Sequence, residues 1–254
     1  KIQRAGNILK NNIKANTSIT EEDFQQANIG VIVACRMKSS RLKQKALIEI
    51  DGEASVERCL NNCLKMKKAN TVVLATSSLE EDAILENYTL DGKVKFWRGD
   101  ADDVIKRYLG ACKEYNIDTI IRVTADCPII SAEISEVLLD HHFSNGADYT
   151  VSKECAVGSG CEIYSVEALK KVIKYLGSAD YSEYMTWYMQ NNRDIFKVEE
   201  VELPDEMVRN YRLTLDYPED LLFFKKLFSK LNKKKQKASL KNIFEILDND
   251  FDLA

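Results

Sequence analysis

The chain has 254 residues, of which 45% are hydrophobic and 30% charged, with 10 glycines and 3 prolines. This composition excludes collagen-like and intrinsically disordered proteins. Lys and Arg number 36 and Asp and Glu 40, which gives a net charge of −4, so nucleic acid is not expected as a partner. We find no apolar run long enough for a membrane span and no apolar core of a signal peptide near the first residues, which predicts a cytoplasmic protein.

From residue 29 onward, short apolar runs alternate with segments of helical periodicity. Such alternation is typical of βαβ crossovers and predicts an α/β fold, in which a mainly parallel sheet carries helices on both faces. After Pro128 the strands become shorter and more polar, which predicts a small mixed-sheet extension. The predicted strands are 29–35, 71–76, 119–124, 148–151, 162–164, 197–201 and 213–216. The predicted helices are 55–66, one through Val104 and Cys112, 133–143, 166–176, 182–189 and one that starts at Pro218.

Residues 1–28 lie outside this alternation and are predicted to be an extension or linker before a domain of residues 29–254. Residues 8–24 resemble the closing piece of the antifreeze-like domain that ends sialic acid synthases. The chain also begins without methionine, so a fused or docked sugar synthase is one interpretation. A simple capping extension is the other.

The seven cysteines are odd in number and contain no Cys-x-x-Cys pair, and only His141 and His142 accompany them. This pattern favours buried free thiols in a reducing compartment over a zinc site or a disulfide framework.

A basic loop follows the first strand of the alternation. It contains five cations, no acid and two serines between Arg36 and Lys45. Ligands of doubly wound sheets bind beyond the carboxyl ends of the strands, so these groups are placed to hold a triphosphate. The loop is neither a Walker loop nor a glycine-rich dinucleotide turn. A solvated basic loop remains the alternative.

Two aspartates, Asp126 and Asp216, are each predicted to follow an apolar strand. Two such carboxylates could share a magnesium ion that also binds phosphate oxygens and water. The alternative is that both are helix N-caps, which suits Asp216 because Pro218 follows it.

Five ordered motifs resemble the cytidylyltransferases of the spore-coat polysaccharide type, relatives of the enzymes that make CMP conjugates of Kdo and sialic acid. The resemblance extends from residue 29 to the end of the chain. The motif residues are Arg36, Met37, Ser39, Ser40, Arg41, Leu42 and Lys45; Ala75, Thr76, Ser77 and Asp82; Arg98, Gly99, Asp100, Asp102, Asp103, Val104, Arg107 and Tyr108; Arg122, Thr124, Asp126 and Pro128; Arg212, Leu213, Thr214, Asp216, Pro218, Glu219, Asp220 and Leu221.

The resemblance implies a Rossmann-like nucleotidyltransferase fold and the transfer of CMP from CTP to a sugar, with Mg²⁺ on Asp126 and Asp216. Arg36 and Lys45 would hold the β- and γ-phosphates and share the catalytic role with the two aspartates. The nucleotide-binding residues would be Ala34, Arg36, Ser39, Ser40, Lys45, Ala75, Thr76, Ser77 and Arg98. The sugar-binding residues would be Arg122, Glu162, Glu183 and Thr186.

Departures from the family pattern concern the substrate. Lys43 and Gln44 replace the usual Pro-Gly of the basic loop, and Tyr184 stands where the sugar side usually has histidine. The expected acceptor is a nonulosonic or related sugar acid for surface polysaccharide synthesis. The alternatives are a non-catalytic nucleotide-binding partner of a sugar synthase, and a uridylyl or guanylyl transferase acting on a sugar phosphate.

Aromatic residues are frequent between residues 158 and 202, and relatives pair through this region, as the resemblance implies. A homodimer is therefore expected there, with an internal aromatic core as the alternative. The aromatic residues concerned are Tyr175, Tyr181, Tyr184, Trp187 and Tyr188.

Overall fold

The computed structural model describes residues 6–10, 18–177, 184–250 and 253. The strands in these ranges are β1 (Asn7–Leu9), β2 (Phe24–Gln26), β3 (Ile29–Ala34), β4 (Glu49–Ile50), β5 (Glu53–Ala54), β6 (Thr71–Ser77), β7 (Lys95–Gly99), β8 (Thr119–Thr124), β9 (Tyr149–Ser152), β10 (Glu162–Ser165) and β11 (Val198–Val201). The α-helices are α1 (Ser55–Cys63), α2 (Val104–Glu114), α3 (Ala132–Asn145), α4 (Val166–Leu176), α5 (Tyr184–Asn191), α6 (Pro218–Lys233) and α7 (Leu240–Asp248).

A seven-stranded sheet in the order β11-β9-β10-β8-β3-β6-β7 forms the centre of the fold. β3 is parallel to both β6 and β8, and β6 is parallel to β7. β10 is antiparallel to β8 and to β9, while β11 is parallel to β9. The predicted α/β class, with a mainly parallel sheet and a mixed extension, is therefore confirmed.

Alternate residues of the sheet pack on opposite layers of helices, as the period of two in a strand requires. Val31 and Val33 of β3 face the layer of α1, α3, α6 and α7, whereas Ile32 faces α2, α4 and α5. The Ile117 side chain packs directly on the backbone of Gly30 in β3. A Cβ at position 30 would lie 2.3 Å from that side chain. Burial of β3 on both faces explains its continuous apolar sequence.

Several local features differ from the predictions. The strand predicted at 213–216 is absent, and only the preceding residue, Arg212, forms an isolated bridge, with Val157. The edge strand β7 was not predicted, because Lys95 and Arg98 interrupt its apolar residues and none of its five residues is fully buried. The two-residue strands β4 and β5 and a 3-10 segment at Glu80–Tyr88 were also missed.

The N-terminal strands β1 and β2 form their own antiparallel two-stranded sheet. Asn28 joins this segment to the main fold, because its backbone N–H donates to the Asp118 carboxylate at 2.9 Å. The domain boundary at residue 28 stays a prediction. Within the described ranges, no helix combines the length and hydropathy needed to cross a bilayer.

All seven cysteines are free thiols, and six of them are buried, the exception being Cys155. The predicted burial is thus confirmed for six. Burial raises the pKa of the Cys112 thiol to about 12, so this side chain behaves as a small apolar residue.

Candidate active site

The basic loop after β3 is anchored to the next strand by a buried carboxylate. The Met37 backbone N–H donates to Asp82 Oδ1 at 2.7 Å, and the Ser77 hydroxyl donates to Asp82 Oδ2. Asp82 is 1% exposed and Ser77 is fully buried. Asp82 thereby fixes the start of the loop against the end of β6.

At the far end of this loop, the Lys45 ammonium lies between two carboxylates. Its Nζ donates to Asp126 Oδ2 at 2.7 Å and to Asp216 Oδ1 at 2.8 Å. Burial alone would lower the pKa of Lys45, but the charge of Asp126 and the hydrogen bonds that Lys45 donates to both carboxylates raise it overall. Lys45 is therefore charged at neutral pH and joins the basic loop to both aspartates.

Asp216 also contacts two arginines. Arg41 Nη2 lies 3.0 Å from Asp216 Oδ1, and Arg212 Nη2 lies 3.0 Å from Asp216 Oδ2. Burial would raise the pKa of Asp216, but the bonds from Lys45 and Arg212 outweigh burial and lower it. The Asp216 carboxylate is therefore ionised. Three cationic side chains, those of Arg41, Lys45 and Arg212, contact it.

Backbone contacts bring the two aspartates together without a strand at 213–216. The Leu215 N–H donates to the Asp126 carbonyl at 2.8 Å, and the Thr214 hydroxyl donates to the same oxygen at 3.1 Å. Asp216 is not the N-cap of α6, because Tyr217 holds that position. The N-cap interpretation of Asp216 is therefore wrong, and the side chain is left for the cations.

A cavity of about 240 Å³ opens beside Lys45, and its lining contains five basic residues and one acidic residue. Arg36 donates to the Ala101 carbonyl at 3.3 Å, and the buried Arg107 donates to the same oxygen at 3.0 Å. In the part of the chain that the structure describes, neither Arg36 nor Lys38 forms an ion pair. The cavity is suited to an anionic ligand, whose charge would replace the missing partners.

On the other side of β8, a buried polar network surrounds Arg122 and Glu162, which face each other across the β8–β10 register. Arg122 Nη1 donates to Glu162 Oε2. Glu162 Oε1 accepts from the Tyr149 hydroxyl at 2.6 Å and from the Thr186 hydroxyl at 3.0 Å. Burial would raise the pKa of Glu162, but the Arg122 charge and these hydrogen bonds lower it.

A second cavity, of about 730 Å³, lies against this network. Lys153 and Arg209 contribute to its lining, but each is already paired, with Glu202 and Asp248 respectively. Arg122 and Thr124 line both cavities. The end of β8 is therefore the place where two ligands would meet.

The comparisons with known proteins agree with this geometry. A family model described as cytidylyltransferase matches residues 30–246. The chain belongs to the cytidylyltransferase family. It is therefore a CTP-dependent nucleotidyltransferase, and the predicted relationship is confirmed.

Relatives of this cytidylyltransferase include the spore coat polysaccharide biosynthesis protein SpsF of Bacillus subtilis, which is 28% identical over 88% of this chain and 95% of its own length. A 3-deoxy-manno-octulosonate cytidylyltransferase of Chlorobium chlorochromatii is 28% identical over 46% of each chain. The solved structure of a cytidylyltransferase from Leptospira borgpetersenii superposes with a TM-score of 0.80 and 27% identity, covering 90% of this chain and 97% of that one. These are similar proteins, and their acceptors are considered below.

Several predicted site residues of the cytidylyltransferase do come together. Lys45, Asp126 and Asp216 form one cluster, with Arg36 and Ala34 lining the adjoining small cavity. Arg122, Glu162 and Thr186 share the polar network. Glu183 lies outside the described residues.

Other predicted nucleotide-binding residues face elsewhere. The side chains of Ala75, Thr76 and Ser77 are fully buried, and Ser77 serves Asp82 instead of a cavity. Arg98 donates to the carbonyls of Ser78 at 2.9 Å and Leu79 at 3.1 Å, so it holds the turn after β6. Ser39 and Ser40 lie in the basic loop, where Ser39 is half-buried and Ser40 exposed.

The sequence assigned none of the following four contacts, although Arg41 was counted among the five loop cations placed to hold a triphosphate. Arg41 and Arg212 bind Asp216, Asp82 anchors the loop, and Tyr149 supports Glu162. Arg212 has a local signal, because it precedes Asp216 by four residues. Tyr149 has none, because its contact with Glu162 depends on the antiparallel pairing of β9 with β10.

Proposed function

We propose that this cytidylyltransferase transfers CMP from CTP to a sugar acid of the nonulosonic or a related type, for surface polysaccharide synthesis. The observation that carries the proposal is the Lys45–Asp126–Asp216 cluster, of which Lys45 and Asp126 line the smaller cavity. That cavity shares Arg122 and Thr124 with the larger one. CTP would occupy the smaller cavity and its loop, and the acceptor the larger cavity.

The acceptor is argued from its chemistry. In a 2-keto sugar acid, one carbon bears both the attacking hydroxyl and the carboxylate, so the carboxylate must lie close to the α-phosphate. Arg122 is the cation that lines both cavities at that point, and a guanidinium is suited to bind a carboxylate. The relative from Chlorobium chlorochromatii is named for a sugar acid of this kind.

A divalent metal fits the two aspartates. Their carboxylate oxygens already converge on one cation, the Lys45 ammonium, at 2.7 and 2.8 Å. Hard oxygen ligands completed by phosphate oxygens and water are the usual environment of Mg²⁺. Asp126 and Asp216 would hold the ion, which when bound would offset charge on the α-phosphate and the attacking oxygen.

The reaction needs few groups from the chain. The anomeric oxygen of the sugar bonds to the α-phosphorus, the bond from that phosphorus to its bridging oxygen breaks, pyrophosphate leaves, and the hydroxyl proton passes to water. Arg36 and Lys45 bind the β- and γ-phosphates and stabilise the leaving pyrophosphate. Arg122 orients the acceptor so that its hydroxyl faces the α-phosphate.

The test is a substrate panel. The purified protein is incubated with Mg²⁺, each of four nucleoside triphosphates, and a set of sugar acids, neutral sugars and sugar phosphates, and pyrophosphate release is measured. We expect release only with CTP and a sugar acid. Release with UTP or GTP and a sugar phosphate would overturn the proposal, and CTP binding without release on any acceptor would indicate a non-catalytic partner.

We also propose a cytoplasmic homodimer. Tyr175 of α4 and Trp187 of α5 are 56% and 59% exposed, which is unusual for large aromatic residues and typical of interfaces. Tyr188 instead packs inward against Phe196, and Tyr181 and the Tyr184 side chain lie outside the described residues. Light scattering should give twice the monomer mass, and Trp187→Glu should reduce it; a monomeric wild-type protein at micromolar concentration contradicts the dimer.

A further inference from the structure

The Lys45 ammonium occupies the point where a metal ion would bridge the two aspartates. Its Nζ makes one short contact with each carboxylate, and the side chains of Lys45, Asp126 and Asp216 are only 19%, 23% and 12% exposed. Across the described ranges, Lys45 is the sole cation within ion-pair distance of Asp126. The ammonium therefore supplies all the direct charge compensation that Asp126 has.

The second aspartate is compensated differently. Asp216 keeps Arg41 and Arg212 when Lys45 is removed, since both lie 3.0 Å from its carboxylate oxygens. These arginines are 53% and 45% exposed and lie at the rim of the site. Departure of Lys45 would thus leave Asp126 as an uncompensated, three-quarters buried carboxylate, which is costly unless another cation arrives.

A second position for the Lys45 ammonium lies in the neighbouring cavity. It lines the cavity of about 240 Å³ together with Arg36 and Lys38, where the phosphates of CTP are proposed to bind. Lys45 starts a short 3-10 turn directly after Gln44, whose φ is +52°. Residues 36–44 form no helix or strand, so the segment that leads to Lys45 has no ladder of backbone hydrogen bonds.

We propose that Lys45 is a placeholder for the divalent cation: the ammonium holds the two carboxylates in the free protein and moves to the phosphates of CTP as the metal replaces it. A monovalent and a divalent cation cannot share the same point between Asp126 and Asp216, because they repel each other strongly at such short distance. The metal and the nucleotide therefore bind cooperatively. This inference rests on the proposed function for the identity of the nucleotide.

The experiment measures Mn²⁺ binding to the free protein by calorimetry and by electron paramagnetic resonance, without nucleotide and without turnover. The proteins compared are the wild type, Lys45→Met and Lys43→Met, the last removing an exposed cation of the same loop. We expect Lys45→Met to bind Mn²⁺ at least about tenfold more tightly than the wild type, because the competitor is gone. Lys43→Met should match the wild type.

A second comparison uses a non-hydrolysable CTP analogue. In the wild type the analogue should strengthen the protein's hold on Mn²⁺, and Mn²⁺ should strengthen binding of the analogue by the same factor. In Lys45→Met this mutual effect should shrink, since Lys45 no longer has to move. Lys45→Gln, which keeps a polar side chain, repeats both measurements if the methionine variant is unstable.

Mn²⁺ binding by Lys45→Met or Lys45→Gln that equals or falls below that of the wild type would overturn the placeholder role. That result is separate from the substrate panel, because it requires neither a sugar nor a reaction. If Lys45→Met binds Mn²⁺ tightly but the wild-type protein releases no pyrophosphate from any triphosphate in the substrate panel, the proposed function is refuted and the exchange of Lys45 for the metal stands.

Discussion

The two sides of the site handle charge in opposite ways. On the nucleotide side, neither Arg36 nor Lys38 of the basic loop forms an ion pair within the described residues, while Lys45 and Arg41 are held by carboxylates. On the acceptor side, Arg122 is already paired with Glu162 inside a network of hydroxyl groups. The nucleotide side is completed by its ligand, whereas the acceptor side is preorganised. Substitutions on the nucleotide side should reduce binding or catalysis. Substitutions on the acceptor side should also reduce the stability of the fold.

The largest effect is expected at the aspartates. Asp126→Asn and Asp216→Asn each remove a hard anionic ligand and should slow turnover at least about a hundredfold. The melting temperature should change little, because the neutral side chains keep the shape of the originals. Pyrophosphate release at saturating Mg²⁺ and thermal unfolding measure the two quantities. Near-normal turnover in either variant would remove that aspartate from the mechanism.

The next effect should distinguish the acceptor side. Glu162→Gln leaves Arg122 buried without its counter-charge and should lower the free energy of unfolding by about 3 kcal/mol. The KM for the acceptor should rise while the Kd for CTP stays unchanged, since Glu162 itself lines the larger cavity and not the smaller one. Urea unfolding, steady-state kinetics and calorimetry check these outcomes.

Glu202→Gln is the matched control for Glu162→Gln. It breaks the exposed pair with Lys153, which also borders the larger cavity, and its unfolding curve should coincide with that of the wild type. Equal destabilisation by the two substitutions would show that the buried network around Arg122 contributes no more to stability than an exposed ion pair.

The acceptor side should also be acid-sensitive. His142 of α3 is buried, its Nδ1 lies 2.9 Å from the Thr150 hydroxyl of β9, and burial lowers its pKa to about 4. The unfolded chain has the ordinary histidine pKa of about 6.5 and binds the proton first as the pH falls. The free energy of unfolding should therefore drop by about 3 kcal/mol between pH 6.5 and 4 because of this residue.

Urea unfolding at several pH values measures this slope. His142→Gln should flatten it, and His141→Gln, at the exposed neighbouring position, should leave it as it is. An unchanged slope in His142→Gln would assign the acid sensitivity to other groups.

The smallest effect is expected in the basic loop itself. Lys43→Ala removes an exposed charge and should change the Kd for CTP by less than about threefold, whereas Lys45→Ala should weaken CTP binding and slow transfer together. Calorimetry with CTP and Mg²⁺ compares them. If Lys43→Ala is the more damaging change, the loop has a different register and Lys45 is not a phosphate ligand.

The sequence predicted most of the fold because burial imposes a clear pattern on its central elements. β8 and α4 have the predicted limits, since an apolar strand and an amphipathic helix are visible in the residues themselves. The edge strand β7 was missed because only part of it faces the core. Residues 213–216 have the composition of a strand, but their N–H groups bond to Val157 and Asp126 outside any sheet.

The candidate site was predictable in position but not in pairing. Strand ends and motifs located Lys45, Asp126 and Asp216, because charged residues rarely follow buried strands without a purpose. Sequence does not show which charge meets which, so the double contact of Lys45 and the two arginines on Asp216 were not foreseen. Ser77 was assigned to the nucleotide, and its hydroxyl bonds to Asp82.

The reversed direction of β10 has a consequence for how such enzymes diversify. Because β10 runs against β8, the connection from β9 to β10, residues 153–161, opens onto the larger cavity and leaves the parallel strands of the nucleotide side untouched. Lengthening a loop adds an entropic cost that grows only with the logarithm of its length. Insertions between residues 153 and 155, ahead of the Val157 contacts that hold the segment leading to Asp216, are therefore a low-cost evolutionary route to a new acceptor, with the cytidylyl donor retained.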